Sequence, residues 1–262
     1  MKIQAFIFNW PGKKQHAVGL ERLLLPDCPD LCVINSDDGM RESHPNWVHI
    51  GKDGYFTDQW NAALARFDAD ILFHVQADVW PNDVKRMLAE CARLMRECAV
   101  GIYAPDIDYT SHRFRRQDLV PVEDGVYEVP TTDCSCWALS ADVLRATPHV
   151  DPEVNRLGWG IDFLVSTVAL RLGKKVVRDF RFRADHPAAQ GYDAKKAFAQ
   201  WSAWKKSLDP DIRATMDNLE SQYNRILVTE TKADRAWRGV KQMFNQVLPS
   251  RAIRERNHAS QP

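Results

Sequence analysis

The stretch Asp70-Ile71-Leu72-Phe73-His74-Val75-Gln76-Ala77-Asp78-Val79-Trp80-Pro81 decides how this chain folds. Its apolar run, Ile71 to Val75, is too short for a helix of its own and reads as a buried strand. Asp78 follows that run, and Pro81 reads as the opening of a helix. A carboxylate at the C-terminal edge of a buried strand is where open α/β sheets place their ligand chemistry. A single Asp there can hold a divalent cation through oxygen, and the cation can in turn hold a diphosphate.

Outward from that strand the chain alternates strands and helices. On the N-terminal side, Ile3 to Phe8 reads as a strand, Gln15 to Leu25 as a helix stopped by Pro26, and Leu31 to Asn35 as a strand running into the turn Ser36-Asp37-Asp38-Gly39. Val48 to Ile50 reads as a short strand and Thr57 to Phe67 as a helix, with Trp60, Ala63, Leu64 and Phe67 at helical spacing. On the C-terminal side, Asn82 to Cys98 is an amphipathic helix with Val84, Met87, Leu88, Cys91, Leu94 and Met95 on one face. Val100 to Tyr103 reads as a strand. Asp106 to Pro130, polar and basic around Arg113, Arg115 and Arg116, reads as an excursion of loop or hairpin. Asp133 to Leu139 is a strand, and Ser140 is the expected cap of a helix through Ala146. Asp162 to Leu172 is an apolar helix ended by Gly173, and Lys175 to Arg183 is a strand running into Asp185-His186-Pro187. Strands separated by helices of this length call for a mostly parallel sheet flanked by helices, an α/β fold. From Asp193 onward the pattern is helical, and Ala233 to His258 forms a basic amphipathic segment with Trp237, Val240, Met243 and Phe244 on its apolar side. Packing on the body, contact with a membrane surface and contact with nucleic acid are all compatible with that segment.

Composition narrows the function classes. Lys plus Arg equals Asp plus Glu at 35 each in 262 residues, so no global field favours nucleic acid or an anionic surface. No run of 18 apolar residues marks a transmembrane helix, and Met1 to Phe8 lacks the form of a signal peptide. The expectation is a cytoplasmic protein. Cys28, Cys32, Cys91, Cys98, Cys134 and Cys136 show no zinc-finger spacing and read as reduced, structural thiols.

Four features fall in order: Ser36-Asp37-Asp38-Gly39 after the second strand, Gln76-Ala77-Asp78 after the fourth, Leu157-Gly158-Trp159-Gly160-Ile161-Asp162 at a helix start, and Ala184-Asp185-His186 at a late strand end. In this order they resemble the GT-A glycosyltransferases, closest to the family 2-like nucleotide-sugar enzymes. The resemblance covers roughly residues 1–190 and implies a nucleotide-sugar and acceptor domain there, followed by a helical extension over 191–262. It implies a nucleoside-diphosphate-sugar donor, a Mn²⁺ or Mg²⁺ cofactor, and a hydroxyl acceptor that is a glycan, a lipid-linked glycan or a modified nucleic acid.

The resemblance also implies roles. Asp78 matches the last Asp of the family's Asp-x-Asp motif and His186 the late His that completes the metal site. Asp37 or Asp38 matches the acid that contacts base or ribose, and Asn9-Trp10 the loop that meets the nucleobase; with Gln76 these form the expected donor side. Asp162 matches the catalytic base, in a motif of the Trp-Gly-x-Asp kind. Trp137, Trp159 and Arg113 are the expected acceptor side. The chemistry suits these types: a bound cation stabilises the charge that builds on a leaving diphosphate, and a carboxylate at a helix start takes the acceptor proton. An Asp base aimed at the acceptor implies inversion at the anomeric carbon.

Two positions depart from the family pattern. Gln76 stands where Asp is usual, and Ile161 where Glu is frequent. Both keep open a catalytically degenerate nucleotide-sugar binder. A nucleotidyltransferase on a similar fold is a second alternative, with Pro11-Gly12-Lys13-Lys14 as its phosphate loop. Each residue also has a plain structural use: Asp37 and Asp38 as turn residues, Asp78 and Asp162 as helix caps, Trp10 and Trp137 as core.

Overall fold

In the computed structural model, two neighbouring strands set the layers. In β1 (Ile3–Asn9), Ala5 and Ile7 point to one face while Phe6 and Phe8 point to the other. In β4 (Ile71–Gln76), Ile71, Phe73 and Val75 share the first face and Leu72 the second. Both faces are therefore buried, and helices must cover each. The structure describes residues 1–38, 45–108, 110–186 and 193–228.

The elements follow in order. After β1 come α1 (Lys14–Leu24), β2 (Cys32–Asn35), β3 (Trp47–His49) and α2 (Phe56–Leu64). Beyond β4 come β5 (Trp80–Pro81), α3 (Val84–Glu97) and β6 (Val100–Ile107). A hairpin, β7 (Val120–Glu123) and β8 (Val126–Glu128), precedes β9 (Cys136–Ser140) and α4 (Ala141–Ala146). Then come α5 (Ile161–Arg171), β10 (Lys175–Asp185), α6 (Ala194–Ser207) and α7 (Pro210–Ile226). The sheet has the order β3-β2-β1-β4-β9-β6-β10-β8-β7, with β5 beside β10. The block β3-β2-β1-β4 is parallel, and so is β6 with β10. Between these blocks β9 runs antiparallel to both neighbours.

Two pairings position the functional edge. Val75 lies opposite Cys136, so the residues just before β9 meet the C-terminal end of β4. Asp185 lies opposite Trp80, so the end of β10 returns beside Asp78. Trp80-Pro81 is thus a short strand and not the opening of a helix; α3 starts at Val84, after Asp83 in a left-handed conformation (φ 43°). Ser140 sits at the N-terminus of α4 as expected, but its hydroxyl donates to the Asp142 carboxylate (2.5 Å) and not to the helix backbone. The excursion holds a one-turn helix, Arg116–Asp118, and the β7–β8 hairpin.

Leu20, Leu24, Met87, Leu88 and Cys91 from α1 and α3 cover the first face. The second is covered by Trp60, Val143, Ile161, Leu164 and Val165 from α2, α4 and α5. Trp204 of α6 and Met216 and Leu219 of α7 are buried, Trp204 and Met216 in this same core. The helices that begin the expected extension therefore pack into the body. The basic segment from Ala233 lies outside the described residues. Among the described residues no helix is long and apolar enough to cross a membrane, and all six cysteines are free.

Candidate active site

Asp78 stands past the C-terminal end of β4 and is 4% exposed. Its two oxygens face different partners. Lys13 Nζ, from the turn between β1 and α1, lies 3.4 Å from Oδ2. His186 Nε2, one residue past β10, lies 3.8 Å from Oδ1. Asp78 Oδ1 and His186 Nδ1 are both buried without a hydrogen-bond partner among the described residues. Buried polar atoms are ordinarily partnered, so each such atom calls for a cause, and a bound ion is one. A carboxylate oxygen and an imidazole are ligands for a divalent cation, so these residues fit the metal implied for the fold. No group of three or more His, Cys, Asp or Glu gathers around a metal position among the described residues. The protein's own share would be two ligands, with diphosphate and water supplying the rest.

The second centre is the start of α5. Gly158 (φ 77°) and Gly160 (φ 83°) adopt left-handed conformations that side chains avoid. A Cβ on Gly158 would strike the Phe56 ring, and one on Gly160 the Trp201 indole. Asn155 Nδ2 donates to the Trp159 carbonyl (2.8 Å) and holds the turn. Its product is Asp162 in the first turn of α5, with Oδ1 accepting the Phe163 N–H (2.9 Å). Asp162 Oδ2 lies 3.1 Å from His112 Nε2.

Asp133 joins the two centres. Burial opposes its charge, but His112, the Thr110 hydroxyl, His186 and the Ser135 N–H outweigh it and hold the carboxyl below its usual range. The Ser135 N–H donates to Oδ1 at 2.9 Å. The antiparallel β9 carries Asp133 to this edge, because its N-terminal end lies against the C-terminal end of β4.

The nucleotide side takes shape at the ends of β1 and β2. Asp37 N–H donates to Asn35 Oδ1 (3.0 Å) in a tight turn. Asp38 lies 3.0 Å from His49 and lines a cavity of about 390 Å³ with Ile50, Lys52, Asp58 and Arg156. Arg156 also lies over the Tyr55 ring, 4.9 Å from its centroid. Trp10 is half-buried against the core.

Two expected residues lie in the interior. Asn9 is 0% exposed; its amide donates to Asn35 (2.7 Å) and its carbonyl accepts from Gln59 (2.7 Å), so it braces the loop. Trp137 is also 0% exposed, with its ring 5.8 Å from that of Trp60, and is core. Gln76, Trp159 and Arg113 are half-buried. Arg113 is anchored through its main chain, its carbonyl accepting from Val228 (2.9 Å).

Sequence reading missed Lys13, His112 and Asp133 as site residues. Lys13 carried a signal in Pro11-Gly12-Lys13-Lys14. Asp133 and His112 carried none, since each reaches the site only through the placement of β9 and of the excursion.

No family model matches the chain, and neither does any curated protein. Solved structures do match. GalNAc-T7 with UDP, GalNAc and Mn²⁺ superposes with a TM-score of 0.57 at 10% identity, over 84% of this chain and 54% of that one. TarS residues 1–349 from S. aureus with UDP-GlcNAc gives 0.54 at 14% identity, over 86% and 72%. The mannosyltransferase PcManGT from Pyrobaculum calidifontis with GDP-mannose and Mn²⁺ gives 0.52 at 13% identity, over 94% and 87%. The chain thus spans about half the GalNAc-T7 chain. At these identities the likeness is one of fold, and the fold is GT-A.

Proposed function

We propose that this protein is a glycosyltransferase that moves a sugar from a nucleoside-diphosphate sugar to a hydroxyl acceptor. One observation carries the reading: Asp78 with His186, and Asp162 at the start of α5, lie at one sheet edge and are joined by Asp133. The fold adds support, because its solved counterparts hold UDP, UDP-GlcNAc or GDP-mannose.

In this reading Asp38 and the cavity it lines hold the nucleoside, and Lys13 contacts the diphosphate. Asp78 and His186 would hold Mn²⁺ or Mg²⁺, which when bound supplies positive charge to the leaving diphosphate. Asp162 takes the proton of the acceptor hydroxyl as its oxygen bonds to the anomeric carbon. The carbon–oxygen bond to the diphosphate breaks, and the nucleoside diphosphate leaves with its electron pair. Attack opposite the leaving group inverts the anomeric centre. Trp159 and Arg113 flank the acceptor, a glycan or lipid-linked glycan in the simplest case.

A thermal-shift panel of UDP-, GDP-, CMP- and dTDP-sugars, with and without Mn²⁺, tests the donor site. One nucleotide class should raise the Tm of the wild type with Mn²⁺, through mass action on the folded state, and fail to do so in Asp78→Ala. No shift with any donor would remove the donor-site assignment. The Lys13–Asp78 pair favours a second reading, a nucleotide-sugar binder without transfer. That protein would show a shift independent of Mn²⁺ and release no nucleoside diphosphate.

A further inference from the structure

His112 packs beside Asp162. It is 5% exposed and comes from the excursion between β6 and β7. Its Nε2 lies 3.1 Å from Asp162 Oδ2. Its Nδ1 lies 3.2 Å from Ser111 Oγ and 3.5 Å from Thr110 Oγ1. Nε2 makes no hydrogen bond among the described residues, so its 3.1 Å approach to the carboxylate is a close electrostatic contact.

The backbone of His112 is held as firmly. Its N–H donates to Thr110 Oγ1 (3.0 Å), and its carbonyl accepts from the buried Arg178 guanidinium (2.6 Å). Tyr223 of α7 meets the ring edge-on, centroids 5.3 Å apart, and its hydroxyl donates to the Ser111 carbonyl (3.2 Å). Burial pushes that phenol up to about 12, so it remains a donor. Asp133, before β9, also interacts with this imidazole through its charge.

We propose that His112 is a positioning residue. Its imidazole, 3.1 Å from Oδ2, holds Asp162 in the orientation from which the carboxylate takes the acceptor proton, and Tyr223 of α7 packs on the ring and holds it there. Asp162 Oδ1 accepts from the Phe163 N–H, and Oδ2 lies beside the His112 ring. The acceptor proton goes to Asp162, and His112 keeps its own throughout. The inference rests on the reading of Asp162 as the base. It also makes the C-terminal helices part of the catalytic apparatus.

The full chain tests this with the donor picked out by the thermal-shift panel and water as acceptor, following nucleoside-diphosphate release. His112→Ala should lower kcat on the order of 10–100-fold, as loss of a residue that orients a reacting group does. Its donor KM should stay within about twofold, since no donor contact is lost. His112→Gln, whose amide can donate, should recover most of the rate. A wild-type kcat in His112→Ala, or a loss that Gln does not relieve, overturns the proposal.

A double-mutant cycle on Tm needs no turnover. His112→Ala should cost less Tm in an Asp162→Asn background than in the wild type, because contacting residues are not additive. Additive shifts overturn the proposal. Full activity in Asp162→Asn removes the base reading instead, and the proposal falls with it even where the cycle shows coupling.

Discussion

The two ends of the site are built in opposite ways. At the donor end Asp78 meets Lys13 and His186 at 3.4 and 3.8 Å, and two buried polar atoms have no protein partner. At the base end Asp162 and His112 approach to 3.1 Å, inside a cluster of Phe163, Trp201, Tyr223 and Phe114 rings. In the proposed reading, Asp78 and His186 are spaced to admit a ligand between them, whereas Asp162 and His112 lie in close contact inside a ring of aromatic side chains. Binding energy should therefore come from the first and transition-state geometry from the second.

The sharpest test of that division is Asp162→Asn. The amide cannot take the acceptor proton, so kcat should fall on the order of 10²–10⁴-fold, the usual worth of a positioned base. Donor affinity by calorimetry should not change. A weaker donor affinity in this variant would merge the two ends into one.

The strand beneath the donor end gives the next effect. His74 of β4 is 0% exposed, with its ring centroid 4.0 Å from that of Phe8, and burial lowers its pKa from 6.5 to about 3. The folded state keeps this imidazole neutral, while the unfolded chain protonates it below pH 6.5. Stability is full above pH 6.5 and falls as pH drops toward about 3, by about 1.4 kcal/mol per pH unit at most. His74→Phe should flatten that acid limb in urea titrations between pH 7 and pH 4. An unchanged limb would place the acid sensitivity in other groups.

The smallest effect is expected at Lys13. Lys13→Ala removes one cation from the diphosphate side and should weaken donor binding about 5- to 20-fold, the scale of one partly exposed charge-assisted contact. It should leave the ratio of kcat between wild type and His112→Ala untouched. A change in that ratio would show that the two ends are coupled.

Legibility in the sequence divides along the same line. Asp78, His186 and Asp162 lie where the sequence places them, past two strand ends and in the first turn of a helix. His112 was not readable: it sits in an aperiodic basic stretch, 50 positions from Asp162 and 111 from Tyr223. Trp137 misled for a related reason. An aromatic at a strand start is equally suited to core and to surface, and only its contact with Trp60 decides.

By itself the sequence determined the α/β class, the strand edges that carry Asp78 and His186, and the turn that launches α5. Those rest on periodicity and on glycine chemistry, which act between near neighbours. Only the tertiary structure decided that β9 runs antiparallel between β4 and β6, that Asp133 therefore reaches this edge, and that Tyr223 of α7 packs on His112 beside Asp162. A continuous apolar run reports that a strand is buried on both faces, but β4 would accept any apolar neighbour. The choice among neighbours is made by the closure of the whole chain, and no single segment encodes it.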